Sequence, residues 1–236
     1  MPVSAQPTTW RSVKSYFPGR HPGRYLLAVP DWKLFYVKNP KAACSTIVTW
    51  LDQLHTGESE SPARIHQDHR VPTVAELGRD RMLSMLNGSA YRFSFVRHPL
   101  RRIESAYWDK VVYSRVWRQH ALDLLEIKDA GDREVTFEEF LSAVERQDPL
   151  TEMDRHWRPQ HLNLLHPLIT FDHVGKLETF SADIARIRDE AGLPFLPAES
   201  RNISRRQRER SVFDGRPDLV SRVEQLYAQD FEVYDY

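Results

Sequence analysis

Cysteine is nearly absent from this chain: Cys44 is the single thiol in 236 residues. One thiol excludes an intrachain disulfide and any cysteine cluster for zinc or iron–sulfur ligation, so nothing here requires an oxidising compartment. Net charge is absent as well, with 33 basic residues balancing 33 acidic ones. Proteins that coat nucleic acid carry a basic excess to neutralise the phosphate backbone, so the balance argues against that class and makes any anion site local. Long apolar runs are also missing. Residues 1–24 hold Pro2, Pro7, Pro18, Pro22 and scattered basic residues but no apolar core of signal-peptide length, and no later run approaches a membrane span. The expectation is a soluble, cytoplasmic protein with no nucleic-acid or membrane partner, a loosely ordered arm over 1–24 and a single domain over 25–236.

What is present suffices for a full core, because 41% of the side chains are apolar. Tyr25 to Val29 and Leu34 to Val37 have the β-branched and aromatic character of strands, with Pro30-Asp31 turning one into the other. Ile47, Val48, Trp50, Leu51 and Leu54 then recur at helical spacing up to a stop at Gly57. Glu58 to Pro72 is polar and predicts a surface loop. Ala75 to Leu86 predicts a helix, Tyr91 to Val96 a strand, and Leu100 to Arg118 a long helix. Thr136 and Glu139 form a capping-box pattern ahead of a further helix. Phe171 to Gly175 predicts a strand, Ser181 to Ala191 a helix and Pro217 to Asp230 a terminal helix. Strands alternating with helices imply a mostly parallel central sheet with helices on both faces.

Two strand–loop–helix junctions carry the chemistry. The first, Lys38-Asn39-Pro40-Lys41-Ala42-Ala43-Cys44-Ser45-Thr46, sets two lysines and two hydroxyls at a helix N-terminus, where unpaired N–H groups and the helix dipole favour an anion. It contains no glycine, so it departs from the G-x-x-x-x-G-K-[ST] loop of ordinary ATPases and GTPases. In the second, Phe95-Val96-Arg97-His98-Pro99 leads into the next helix, and Arg97 emerges at the carboxyl end of a strand with Ser105 two helical turns further on. A guanidinium fork and a serine hydroxyl suit a second phosphate. Ion pairing for Arg97 and plain surface exposure for Ser105 and the lysines are the alternatives that these residues leave open.

Together the two stretches resemble the sulfotransferases that use 3′-phosphoadenosine 5′-phosphosulfate (PAPS), most closely the carbohydrate branch of the chondroitin and HNK-1 type with its bacterial relatives. Pro40 through Thr46 matches the family's PK-x-x-x-[ST] loop, and Phe95 through Tyr107 matches its F-V-R-x-P-x-x-R-x-x-S-A-Y segment. His156-Trp157-Arg158-Pro159-Gln160, Phe171 through Glu178 and Leu226 through Phe231 match later segments, so the resemblance runs from about Leu34 to the C-terminus. It implies a P-loop-like three-layer α/β fold and an enzyme that moves the sulfuryl group of PAPS directly, in line, to a hydroxyl of a carbohydrate or other acceptor, with the bisphosphate PAP as product. It also implies roles. Lys41 would contact the 5′-phosphate and bridging oxygen. Ser45, Thr46 and the loop formed by Lys38, Pro40, Ala42, Ala43 and Cys44 would bind the phosphosulfate, and Arg97 and Ser105 the 3′-phosphate. No metal is required for this chemistry, because a lysine and a helix terminus supply positive charge.

The acceptor hydroxyl needs a base, and neutral imidazole titrates in a suitable range. His66 and His69 are the candidates, His66 first, since they lie in the polar loop between the two cofactor segments, where related enzymes often carry a catalytic histidine. His98 is expected to pack against its turn, and His156 either orients a ligand or is structural. Cys44 has no base identifiable beside it in the sequence, which argues against a nucleophile. Arg201, in the basic run to Arg210, resembles late basic loops that close over the nucleotide in this family. Two rivals stay open: a kinase-like phosphoryl-transfer enzyme and a nucleotide-binding module without chemistry.

Overall fold

The computed structural model describes residues 7–124, 126, 134–195, 197 and 210–236. Helix α1 (Trp10–Ser15) precedes strands β1 (Leu26–Val29) and β2 (Leu34–Val37). Helices α2 (Cys44–Thr56), α3 (Ile65–Asp68), α4 (Val74–Leu77) and α5 (Arg79–Ser84) lead to β3 (Tyr91–Val96). Then come α6 (Pro99–Tyr107), α7 (Arg115–Leu124), α8 (Phe137–Glu145) and α9 (Gln160–Asn163), before β4 (His173–Lys176). Helices α10 (Phe180–Ala191), α11 (Pro217–Leu226) and α12 (Ala228–Tyr234) close the chain.

The strands form one sheet in the order β1-β2-β3-β4. β1 and β2 are an antiparallel hairpin, whereas β2 with β3 and β3 with β4 are parallel. Every residue of β1 and β2 is buried, which explains their unbroken apolar runs. Alternate strand residues face opposite cores. Leu27, Leu34, Tyr36 and Phe93 pack with α2 and with Ile184 and Ile187 of α10. Leu26, Phe35, Val37 and Val96 pack with Val13 of α1 and with Met82 and Met85. A third cluster, built around Ile103, Phe140, Trp157 and Val223, joins α6, α8 and α11. The fold is therefore a mostly parallel α/β sheet with helices on both faces, as the alternation of elements predicts.

Several expected boundaries shift for local reasons. From residue 7 the expected loose arm is instead packed: the Thr9 capping box starts α1, whose Val13 is fully buried, and Phe17 is nearly so. The helix expected over Ala75–Leu86 breaks at Gly78, which ends α4 with φ 77° and starts α5. The long helix expected over Leu100–Arg118 ends as α-helix at Tyr107, passes into a π turn at Trp108–Val112 and restarts at Arg115. The terminal helix breaks at Tyr227, whose hydroxyl donates to the Trp157 carbonyl at 2.5 Å. The polar loop over Glu58–Pro72 contains α3 and is tied to α2 by Arg70, whose backbone N–H and guanidinium bond the buried Asp52 carboxylate at 2.6 and 2.7 Å. No helix among the described residues is long and apolar enough to cross a membrane.

One buried cation fastens the first junction to the rest. Arg102, on α6 and 2% exposed, donates from Nε to the Pro40 carbonyl at 3.1 Å, from Nη1 to the Arg158 carbonyl at 2.9 Å and from Nη2 to the Arg155 carbonyl at 2.8 Å. Its charge is thus solvated by backbone oxygens in the interior, two of which, those of Arg155 and Arg158, also accept from Asn163 Nδ2. Arg102→Met is expected to lower stability by about 2–4 kcal/mol in urea unfolding, because it removes three buried hydrogen bonds and leaves the Pro40 carbonyl without this donor, while exposed Arg101→Met stays within about 0.5 kcal/mol.

Candidate active site

The loop between β2 and α2 is shaped by two non-glycine residues in the left-handed region, Lys41 at φ 71° and Ala43 at φ 58°. Each such residue carries a backbone cost of about 1–2 kcal/mol, and conformations of this kind gather at ligand sites. Ala43 is the N-cap of α2, and no described side chain caps that helix. The N–H groups of Cys44, Ser45 and Thr46 in its first turn thus have no side-chain cap. Pro40 and Ala42 are buried beneath the loop, so they shape it through backbone and packing.

Lys41 is 16% exposed and its Nζ lies 2.9 Å from Asp109 Oδ2; Lys110 Nζ lies 3.3 Å from the same oxygen. Burial pushes the Lys41 amine down, and Asp109 pulls the other way. Burial raises the Asp109 carboxyl, but Lys41 and Lys110 outweigh it and hold it below the ordinary range. Lys38, also half-buried, is lowered by burial and by the charges of Arg155 and Arg24, against a favourable pull from Cys44. The junction is a concentration of positive charge within a chain of zero net charge.

Of the two loop histidines, His66 reaches the junction. Its Nε2 lies 2.9 Å from Ser45 Oγ and 3.8 Å from Cys44 Sγ. A base therefore does stand near the thiol, which the sequence alone does not reveal, although the serine is closer. Partial burial, then the charges of Lys38, His156, His69 and Lys110, push the His66 imidazole down to about 4. His69, lowered by burial and Lys38, makes no side-chain bond to the loop. A further imidazole belongs to the same surroundings: His156 Nδ1 lies 2.5 Å from Asp154 Oδ1, and the Lys110 and Lys41 charges act on it.

The second junction is held by its backbone. Gln160 Oε1 accepts from the Arg97 N–H at 3.0 Å, and Gln160 Nε2 donates to the Arg97 carbonyl at 2.8 Å. The same Oε1 accepts from Asn39 Nδ2 at 2.9 Å, so one buried amide joins both junctions. Asp230, fully buried, fixes Gln160 by accepting its N–H at 2.7 Å, along with the His161 N–H at 2.8 Å. With its backbone fixed, the Arg97 side chain makes no hydrogen bond or ion pair to a described residue; burial lowers it, while Glu178 and Glu104 favour its charge. Ser105, on α6, likewise has no side-chain bond to a described residue, and the two do not bond one another. His98, expected to pack against its own turn, packs edge-on against Phe231 and Tyr236 at the C-terminal end instead.

Arg201 lies outside the described residues. Sequence reasoning missed Asp109, Arg102, Asn39, Gln160 and Asp230 as parts of the site. Gln160 and Asp230 stand inside the quoted late segments, which is the signal that could have found them. Asp109 has no such signal, because the straight helix expected there conceals the turn that aims it.

The first junction thus offers a helix N-terminus with no side-chain cap, Ser45, Thr46 and Lys41, and the second offers Arg97, without a side-chain partner among the described residues, and Ser105; groups of these kinds can bind anions. The model of the sulfotransferase family matches residues 24–236. Carbohydrate sulfotransferase 14 of Mus musculus is 30% identical over 181 residues, covering 72% of this chain and 47% of the relative. The Danio rerio protein of that name is 28% identical over 183 residues, covering 72% and 49%. Carbohydrate sulfotransferase 11 of Mus musculus is 28% identical over 194 residues, covering 72% and 53%. The chain thus spans about half the length of these relatives. No solved structure matches at the same stringency. A family model that extends over both junctions and the segments bracing them places the chain in the sulfotransferase family.

Proposed function

We propose that the protein is a PAPS-dependent sulfotransferase that transfers a sulfuryl group to a hydroxyl of a carbohydrate acceptor. The observation that carries this reading is the pairing of two anion-ready junctions by Gln160, since a 3′-phosphorylated donor needs two phosphate sites a fixed distance apart. The kinase-like rival lacks the glycine-rich lysine loop, and the carbohydrate acceptor is supported by the relatives' printed names.

In this reading Ser45, Thr46 and the α2 N–H groups hold the phosphosulfate, and Arg97 with Ser105 the 3′-phosphate. Lys41 stabilises the charge that builds on the leaving oxygen. The acceptor oxygen bonds to sulfur as the bond from sulfur to the 5′-phosphate oxygen breaks, its electron pair departing on PAP. His66 takes the hydroxyl proton, because an imidazole 2.9 Å from a phosphosulfate ligand stands within reach of the reacting sulfur. His156 offers a second reading for the base, since its Nδ1 lies 2.5 Å from Asp154 Oδ1, a contact that orients the ring and favours its taking up a proton.

Binding separates donor classes. In calorimetry without magnesium, PAP is expected to bind more tightly than ATP, and equal or weaker binding sinks the assignment. Lys41→Ala should lower kcat/KM for transfer from labelled PAPS by about 10²–10³-fold. Replacing His66, His69 and His156 singly by Ala, side by side, assigns the base by the largest loss in kcat. A base works in its neutral form, and His66 is held down to about 4, so its activity should persist on acidification and fall only as pH drops through about 4. An acid limb centred near the ordinary histidine value of about 6.5 counts against His66 as the base.

A further inference from the structure

Asp109 is a carboxylate placed where an incoming polyanion should meet only cations. It arrives there because α6 does not continue as a straight helix: the π turn at Trp108–Val112 swings Asp109 and Lys110 together toward the first junction. Single π turns of this kind recur at functional sites because the inserted residue re-aims its neighbours. Both Lys41 and Lys110 rest on one oxygen, Oδ2, and Asp109 is 48% exposed while Lys41 is 16% exposed. An ion pair with one partner half in solvent contributes little to folding, so stability does not account for it. Repulsion between Asp109 and a bound phosphate makes its presence costly for binding unless the carboxylate acts on the lysine.

We propose that Asp109 is a positioning residue that holds Lys41 in place while the 5′-phosphate site is empty and yields it to the phosphate when the donor binds. The inference rests on the donor reading above and deepens it. Lys41 sits in a left-handed loop that fixes its Cα, so only its side chain has to swing. A phosphate group carries more charge on the oxygen that would face Lys41 than a half-exposed carboxylate does, so it can take the lysine over. The exchange thereby favours ligands with more charge on the oxygen facing Lys41. That is the direction in which charge develops as the sulfuryl group leaves. Asp109 touches neither donor nor acceptor in this scheme and acts through Lys41.

Calorimetric titration of the whole chain with PAP tests the role in a double-mutant cycle. Asp109→Asn is expected to tighten PAP binding by about fivefold or more, since Lys41 no longer has a competing anion. In the Lys41→Ala background the same substitution should tighten binding by a clearly smaller factor, about twofold, because only relieved repulsion and the release of Lys110 then remain. Asp109→Glu, which keeps the charge, should stay within about twofold of the parent and serves as the conservative rescue. An unchanged Kd for Asp109→Asn, or equal tightening in both backgrounds, overturns the positioning role while leaving the donor reading intact. Absence of PAP binding by the parent chain overturns the donor reading and this role with it.

Discussion

The side-chain amide of Gln160 is the constraint on which the two junctions depend. Its oxygen receives Asn39 from the first loop and the Arg97 N–H from the second, and its nitrogen returns a bond to the Arg97 carbonyl. Asp230 then fixes Gln160 from the far end of the chain. Four segments distant in sequence thus meet at one buried point. In the dry interior each bond is electrostatically stronger than at the surface, and leaving any member unpaired costs about 1–3 kcal/mol. The distance between the two anion sites is consequently set by a polar network, with the apolar cores supplying the stability around it.

Charge within this network is handled by two different means. Arg102 is buried where no phosphate reaches it, and backbone carbonyls of Pro40, Arg155 and Arg158 satisfy its fork. It is therefore a structural cation. Lys41 and Arg97 lie nearer the surface, one on an exchangeable carboxylate and the other without a side-chain bond among the described residues. The distinction explains why a chain with zero net charge can concentrate cations in one place: acids elsewhere balance the total, while few stand at the junctions themselves.

Much of this was legible in the sequence, for identifiable reasons. β2 and α2 could be placed because their apolar periodicities are strong and Gly57, at φ 73°, stops the helix. The α8 start was legible from Thr136 and Glu139, whose capping box forms as expected. The loop residues from Lys38 to Thr46 were identifiable because the junction is local in sequence. The breaks at Tyr107 and Tyr227 were not, since neither break carries the Gly or Pro that marks a helix end; tertiary bonds, such as that from the Tyr227 hydroxyl to Trp157, accompany them. Asp109 was hidden for the same reason. The N-terminal segment was misread because prolines and scattered charge suggested a loose chain, whereas Val13 and Phe17 find a place against the sheet. His66 was ranked ahead of His69 from the sequence only by its place in the polar loop; its contact with Ser45 Oγ at 2.9 Å depends on packing that the sequence does not display.

The two junctions combine a rigid frame with side chains that can move. Asn39, Gln160, Asp230 and Arg102 are buried and bonded, so their positions are fixed by the interior. The groups expected to touch the donor are bonded, where they are bonded at all, to partners that a phosphate can replace: Lys41 to Asp109 and Ser45 to His66. Each replacement exchanges one polar contact for another and so avoids stripping a group to vacuum. Ser45 adds a consequence for the base. In the function proposed above, a Ser45 hydroxyl that turned to the phosphosulfate would release His66 from that contact, so donor binding would free the proposed base.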